Sequence, residues 1–358
     1  MTFSLPQMEN TEKTNQKAPP PHFEGYIVQC PPGLGRLLSK EMMAHKIVPF
    51  KDRIFMKFQR NHDLLFMHAV EKKQGLRSLR IAERVLEVPA YGKYKISKNQ
   101  LDAIASRLKK LTEPHRLVIG ATGKHFQRQD LQRWLLKEME KREIEFSFDE
   151  EDPEVWLLTV DELFYFGIPI FREDDAALRN HRTEERDGSL PPTAAAAMAF
   201  LAKPLENENI WDPCCGSGTL LAEAFAYTPK SHFIGTDIDT TAIAIAKNNL
   251  SHLPNLNLQK GDHSKSGLAD RSVQVVLANL PFGKKYGSEG AANEALYTKL
   301  LHEIKRVADP QKFRGYLLTS DVGALSKAAH AVDKTNLELA LKIKTRGLEA
   351  QVYRVSFR

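Results

Sequence analysis

The sequence predicts an α/β chain, with a doubly wound, mostly parallel sheet in its C-terminal half and two smaller α+β units before it. Three observations carry this. From about Asn209 onward, short apolar runs alternate with amphipathic stretches in the rhythm of strand and helix. A Gly-x-Gly turn, Gly216-Ser217-Gly218, joins the first of those strands to its helix. The 358 residues also exceed what a single core usually organises, so two or three domains are expected.

Residues 1–22 are polar and proline-punctuated and read as a disordered tail. Residues 23–90 read as a small ferredoxin-like α+β unit. It has a strand at Tyr26–Cys30, a helix through Leu34, Leu37, Leu38 and Met42, and a strand at Arg53–Phe58. A helix over His62–Val70 and a strand over Leu79–Val88 complete it. Residues 91–170 form the second unit. Ser97 begins a helix through Leu101, Ile104, Leu108 and Leu111, and Arg116–Ala121 is a strand. Asp130 starts a helix that turns Leu131, Trp134, Leu135 and Met139 inward, and two strands close the unit. Residues 171–192 are a charged linker, and residues 193–358 the doubly wound domain, with Thr193 as N-cap of its alanine-rich first helix. Two last strands, Leu339–Thr345 and Gln351–Phe357, suggest an antiparallel edge.

The net charge of +6 is a mild basic excess, compatible with a polyanionic partner. The cysteines are Cys30, Cys214 and Cys215, with no C-x-x-C pair. This argues against a cysteine zinc site, and no metal is expected. Adjacent Cys214 and Cys215 make poor disulfide partners, so a reduced, cytoplasmic setting fits. No stretch has the length of a membrane span or signal-peptide core, and acidic Glu9 and Glu12 argue against a transit peptide.

The loop Trp211–Thr219 is a ligand cradle by composition. Gly216 and Gly218 allow close backbone approach, but Leu221 stands where a dinucleotide fingerprint needs its third glycine. An acidic residue leading the loop instead favours S-adenosylmethionine. That ligand offers a ribose, an adenine, an amino-carboxylate and a sulfonium, with no pyrophosphate. Asp237, about 20 residues beyond the glycines, suits the ribose hydroxyls. Ile238 can cover adenine, Asp262 can accept from its amino group, and Asp212 can meet the methionine amino group. Cys214, Thr219 and His263 complete the cofactor set. Each aspartate on its own also reads as a turn cap.

Asn279-Leu280-Pro281-Phe282 follows the apolar run Val273–Ala278, at a strand's C-terminal end, where ligands of open α/β sheets sit. The guanine amino nitrogen is conjugated with its ring and is a poor nucleophile. The Asn279 side-chain oxygen and the Leu280 carbonyl can accept its two N–H groups and turn its lone pair outward. Pro281 stiffens the turn, and Phe282 can stack on an extruded base. A β-turn with a buried Phe is the competing reading. Lys124, His125, Arg128 and Arg133, and Lys284 and Lys285 beside the motif, are set to meet RNA phosphates or else form solvated faces.

Residues 279–282 resemble the N/D-P/L-P-Y/F motif of amino-methyltransferases. Asn279–Gly287, with Asp212–Thr219, resembles THUMP-carrying RNA guanosine-N2 methyltransferases. Gly25–Leu38, Gly120–Leu136 and Asp161–Ile168 are similar to the THUMP module and its ferredoxin-like companion. Leu280 departs from the commonest form of the motif but keeps the backbone carbonyl. The resemblance implies a Rossmann-like class I methyltransferase domain, S-adenosylmethionine as cofactor, and N2-methylguanosine formation in the acceptor stem of tRNA. A monomer is expected, with an activating partner left open. Alternatives are 23S-type ribosomal RNA as substrate, adenine-N6 methylation, and an RNA-binding protein with a dead methyltransferase domain.

Overall fold

The computed structural model describes residues 25–47, 54–58, 63–68, 73–93, 96–122, 128–160, 163–172, 184, 188–281, 291–345 and 348–358. The tail at 1–22 and most of the linker lie outside them. The chain divides into two compact units: Val88–Ile168 with the residues up to Gly25, and Tyr26–Glu87 with Pro169–Arg358.

The first unit holds α3 (Lys98–Leu108), β5 (Arg116–Thr122), α4 (Arg128–Glu140), β6 (Glu154–Val160) and most of β7 (Leu163–Arg172). β5 pairs parallel with β6, and β6 antiparallel with β7. Ser97 caps α3 through a capping box with Gln100, satisfying two otherwise open helix-start donors. Ile104, Leu135, Met139, Leu157 and Phe166 are fully buried at its centre. Trp134 is not among them: it is 38% exposed, correcting its expected inward orientation. The core stripe of α4 runs through Leu135 and Met139, four residues apart, and Trp134 lies beside that stripe.

The second unit opens with β1 (Gly25–Cys30), α1 (Gly35–Ala44), β2 (Ile54–Phe58), β3 (Asp63–His68), α2 (Lys73–Leu76) and the start of β4 (Arg84–Lys93). The helix expected over residues 62–70 is a strand, β3, paired antiparallel with β2. Leu64–Met67 is an unbroken apolar run whose period does not distinguish strand from helix, and pairing decides it. Asp63, at its start, accepts the Gly33 and Gly35 N–H groups on one carboxylate oxygen at 2.9 and 3.0 Å.

The rest of this unit is the doubly wound domain. It comprises α5 (Pro192–Ala202), β8 (Asn209–Asp212), α6 (Thr219–Tyr227), β9 (His232–Asp237), α7 (Thr240–Asn249) and β10 (Leu256–Lys260). Then come β11 (Val275–Asn279), α8 (Ala291–Val307), β12 (Arg314–Thr319), α9 (Val322–Ala331), β13 (Thr335–Thr345) and β14 (Leu348–Phe357). The sheet order is β10-β9-β8-β11-β12-β14-β13, parallel except for the antiparallel pairings of β14. The central strand β11 is buried on both faces. Val275 and Leu277 enter the core shared with α5 and α6, and Val276 and Ala278 the one shared with α8 and α9. α9 was not expected from the sequence. Thr193 is not the N-cap of α5: Pro191 occupies that place, and Thr193 sits buried inside the first turn. Pro192 needs no N–H partner there, which favours the earlier start.

One polar network fixes α6. Arg80 forms a two-pronged ion pair with Glu223 at 2.9 and 3.0 Å. Glu41 accepts the Arg80 and Ile81 N–H groups and the Tyr227 hydroxyl. Both carboxylates are fully buried. Residues of the N-terminal segment thus hold the helix whose first turn follows the glycine loop.

Candidate active site

β8, β9, β10 and β11 run parallel and end on one edge of the sheet, which brings their C-terminal loops together. Asp212 closes β8 and is 1% exposed, and one of its oxygens accepts the Cys214 N–H at 3.1 Å. Burial first, and then the charge of Asp237, raise its carboxyl to about 8. The loop then turns through Gly216 at φ +52° and Gly218 at φ +88°. A Cβ on Gly218 would come within 2.6 Å of the Leu250 side chain, which would have to move. Thr219 begins α6 directly after it. Cys214 is held as a neutral thiol by burial and by Asp212, Asp237 and Asp262, so it is no thiolate nucleophile.

Asp237 closes β9. One carboxylate oxygen accepts the Gly216 N–H and the other the Asp239 N–H, both at 2.9 Å. Ile238 follows with 72% of its surface exposed, an apolar side chain with no core to fill. After β10, Asp262 accepts the Ser264 N–H at 2.8 Å, and hydrogen bonds from Ser264 keep its carboxyl below the usual range. His263 is half-buried, with its pKa lowered by that burial. Asp212 and Asp237 are thus tied to the glycine loop by their hydrogen bonds, and Asp262 and His263 follow the next parallel strand on the same edge.

The residues fit S-adenosylmethionine. A Cβ on Gly216 would meet no atom within 4 Å, so the loop has open room above it. Each Asp237 oxygen takes one backbone N–H and retains acceptor capacity for ribose hydroxyls.

Asn279 ends β11, opposite Leu318 of β12. Its Oδ1 is buried and meets no hydrogen-bond partner among the described residues. A buried amide oxygen without a partner costs stability, and at a strand's C-terminal end such an atom is free to accept from a ligand's N–H. Leu280 N–H donates to Leu318 O at 2.9 Å, and the Pro281 carbonyl accepts from the Tyr297 hydroxyl at 2.8 Å. Phe282, Lys284 and Lys285 lie outside the described residues, as do Lys124 and His125.

In the first unit, Arg128 is exposed at the start of α4, and Arg133 is exposed but paired with Asp130 at 2.7 Å. Arg128 also lines a cavity of about 220 Å³ with Arg116, Gln132, Phe146 and Phe148. Phe148 is 82% exposed. Sequence reasoning passed over Phe148, which borders an acidic stretch, and Tyr297, which reads as an ordinary core position of α8. Among the described residues no cluster of His, Cys, Asp or Glu is placed to hold a metal, and no helix is long and apolar enough to cross a membrane.

Residues 179–342 match the family model described as RMKL-like, methyltransferase domain. The matched span takes in β8 to β12 and both candidate loops. Among relatives, the human tRNA (guanine(6)-N(2))-methyltransferase THUMP3 is 30% identical over 217 residues, 56% of this chain and 42% of that protein. The bovine U6 snRNA (guanine-N(2))-methyltransferase THUMPD2 is 30% identical over 136 residues, 37% of this chain and 26% of that one. The chain thus spans less than half the length of either. TrmN from Thermus thermophilus shares the fold, with a TM-score of 0.76 at 20% identity over 94% of this chain and 100% of that one. The relatives bear out the resemblance to THUMP-type guanosine-N2 methyltransferases read from the sequence.

Proposed function

We propose that the chain is an S-adenosylmethionine-dependent RNA methyltransferase that forms N2-methylguanosine in tRNA, in the acceptor stem. The observation that carries the proposal is the buried Oδ1 of Asn279, without a partner among the described residues, beside the Leu280 carbonyl, on the sheet edge that also holds the glycine loop and Asp237. The name of the human relative, a tRNA guanine-N2 methyltransferase, supports the choice of base and RNA.

S-adenosylmethionine supplies a methyl group on a sulfonium, which an amine lone pair can attack in line. In this reading Asp237 grips the ribose, Ile238 covers one face of adenine, and Asp262 with His263 borders its amino edge. Asp212 meets the methionine ammonium. Cys214, Gly216, Gly218 and Thr219 form the loop wall. Asn279 Oδ1 and the Leu280 carbonyl accept the two N–H groups of guanine. That removes the amine from conjugation and aims its lone pair, while Phe282 stacks on the extruded base. No strong base is required, because the nitrogen sheds its proton once it is alkylated. Lys124, His125, Arg128 and Arg133 of the first unit, with Lys284 and Lys285, hold phosphates. The expected division at residues 23–90, 91–170 and 193–358, with a THUMP module in the second, belongs to the same proposal.

A second reading, small nuclear RNA as substrate, is favoured by the name of the bovine relative. Nucleoside mass spectrometry on tRNA, ribosomal and small nuclear RNA fractions, with and without the gene, tests both. Loss of N2-methylguanosine from tRNA supports the proposal. Loss confined to another fraction, or to N6-methyladenosine, rejects it.

A further inference from the structure

The turn that carries Asn279 is held from behind by a hydrogen-bonded chain whose direction can be worked out. Tyr297, on α8, is fully buried. Its hydroxyl lies 2.8 Å from the Pro281 carbonyl and 3.2 Å from Thr319 Oγ1 at the end of β12. A phenol has one proton and a carbonyl can only accept, so that proton goes to Pro281. The second bond must then be donated by the Thr319 hydroxyl. Thr319 Oγ1 accepts in turn from the Asp321 N–H at 2.9 Å. The relay therefore runs one way, from Asp321 N–H through Thr319 and Tyr297 to the Pro281 carbonyl, and each bond polarises the next.

Both ends are anchored. Asp321 accepts the Ala324 N–H at the start of α9 and the Asn293 side-chain N–H on the first turn of α8, at 3.1 and 2.9 Å. At the other end, Leu280 N–H is tied to Leu318 O at 2.9 Å. The Leu280 carbonyl thus sits between two fixed points, its own N–H and the next carbonyl, with the Pro281 ring removing a torsion between them. Burial pushes the Tyr297 phenol up to about 12, so it remains a donor across any working pH.

We propose that Tyr297 is a positioning residue: by holding the Pro281 carbonyl, it aims the Leu280 carbonyl and the Asn279 amide at the acceptor amine. The role assigned to those two acceptors is the reading given above, and the relay itself can be tested without it.

The test compares wild type, Tyr297→Phe, Thr319→Val and Thr319→Ser in the full chain. Three quantities are read: single-turnover methyl transfer to tRNA, S-adenosylmethionine affinity by calorimetry, and hydrogen exchange at the Leu280 amide. Tyr297→Phe is expected to slow transfer about tenfold or more with cofactor affinity unchanged, and to speed exchange at Leu280. Thr319→Val is expected to follow it, and Thr319→Ser, which keeps the hydroxyl, to recover most of the loss. The double change should be no slower than Tyr297→Phe alone, because the two act in one chain. Unchanged transfer together with unchanged Leu280 exchange overturns the proposal, as does cofactor affinity falling in step with rate. If Tyr297→Phe does not fold, full activity in Thr319→Val overturns it. A wild type that methylates no guanosine rejects the reading of the site, while exchange at Leu280 still decides the relay.

Discussion

Cofactor binding should depend on pH through Asp212. In the free protein, desolvation and the nearby Asp237 hold this carboxyl protonated up to about 8. The ammonium of S-adenosylmethionine favours the carboxylate, so binding must first remove the proton. With that pKa, about one molecule in a hundred carries the carboxylate at pH 6 and about half do at pH 8. Affinity should therefore rise about 50-fold from pH 6 to pH 8 and level off above, because the protonated form is the one that binds poorly. Calorimetry in two buffers of different ionisation enthalpy should also show nearly one proton released per cofactor near pH 6.5. Asp212→Asn should bind weakly and without this slope. An affinity that stays flat within about threefold over the same range, with no proton released, would show that Asp212 does not meet the ammonium.

Other substitutions probe the loop, the motif and the scaffold. Gly218→Ala places a side chain at φ +88° and 2.6 Å from Leu250, so it should cost about 1–3 kcal/mol in a denaturant titration and weaken cofactor binding. Asp237→Ala should lower cofactor affinity while leaving the fold intact by circular dichroism; unchanged affinity would move the ribose contact elsewhere. Arg80→Met strands Glu223 in the core beside Glu41 and should destabilise the second unit by about 3–5 kcal/mol. A loss under about 1 kcal/mol would mean that the buried pair does not hold α6 in place.

The parts legible in the sequence were those where local chemistry and tertiary role coincide. Gly216 and Gly218 announce a backbone turn that only glycine makes easily, and the turn is there. Asp212, Asp237 and Asn279 each end a parallel strand and Asp262 follows one, so sheet topology alone brings their loops to one edge. β3 was misread because Leu64–Met67 is apolar without a period, and its partner β2 is a tertiary fact. α9 hides in Val322–Ala331, where alanines blur the difference between inward and outward faces. Trp134 was misplaced because a hydrophobic residue need not lie on the stripe its helix buries. Tyr297 gave no signal at all. Its role depends on a hydroxyl meeting a carbonyl 16 residues earlier in the chain, and spacing cannot reveal that.

The most direct measurement incubates unmodified tRNA with methyl-labelled S-adenosylmethionine and resolves the digested nucleosides, for wild type and for Asn279→Ala. Wild type should place the label in N2-methylguanosine. The variant should lose about a hundredfold or more of that label while binding the cofactor as tightly as before. Equal labelling by both proteins, or label appearing in N6-methyladenosine, would contradict the claim that the Asn279 amide and the Leu280 carbonyl hold a guanine amine for transfer.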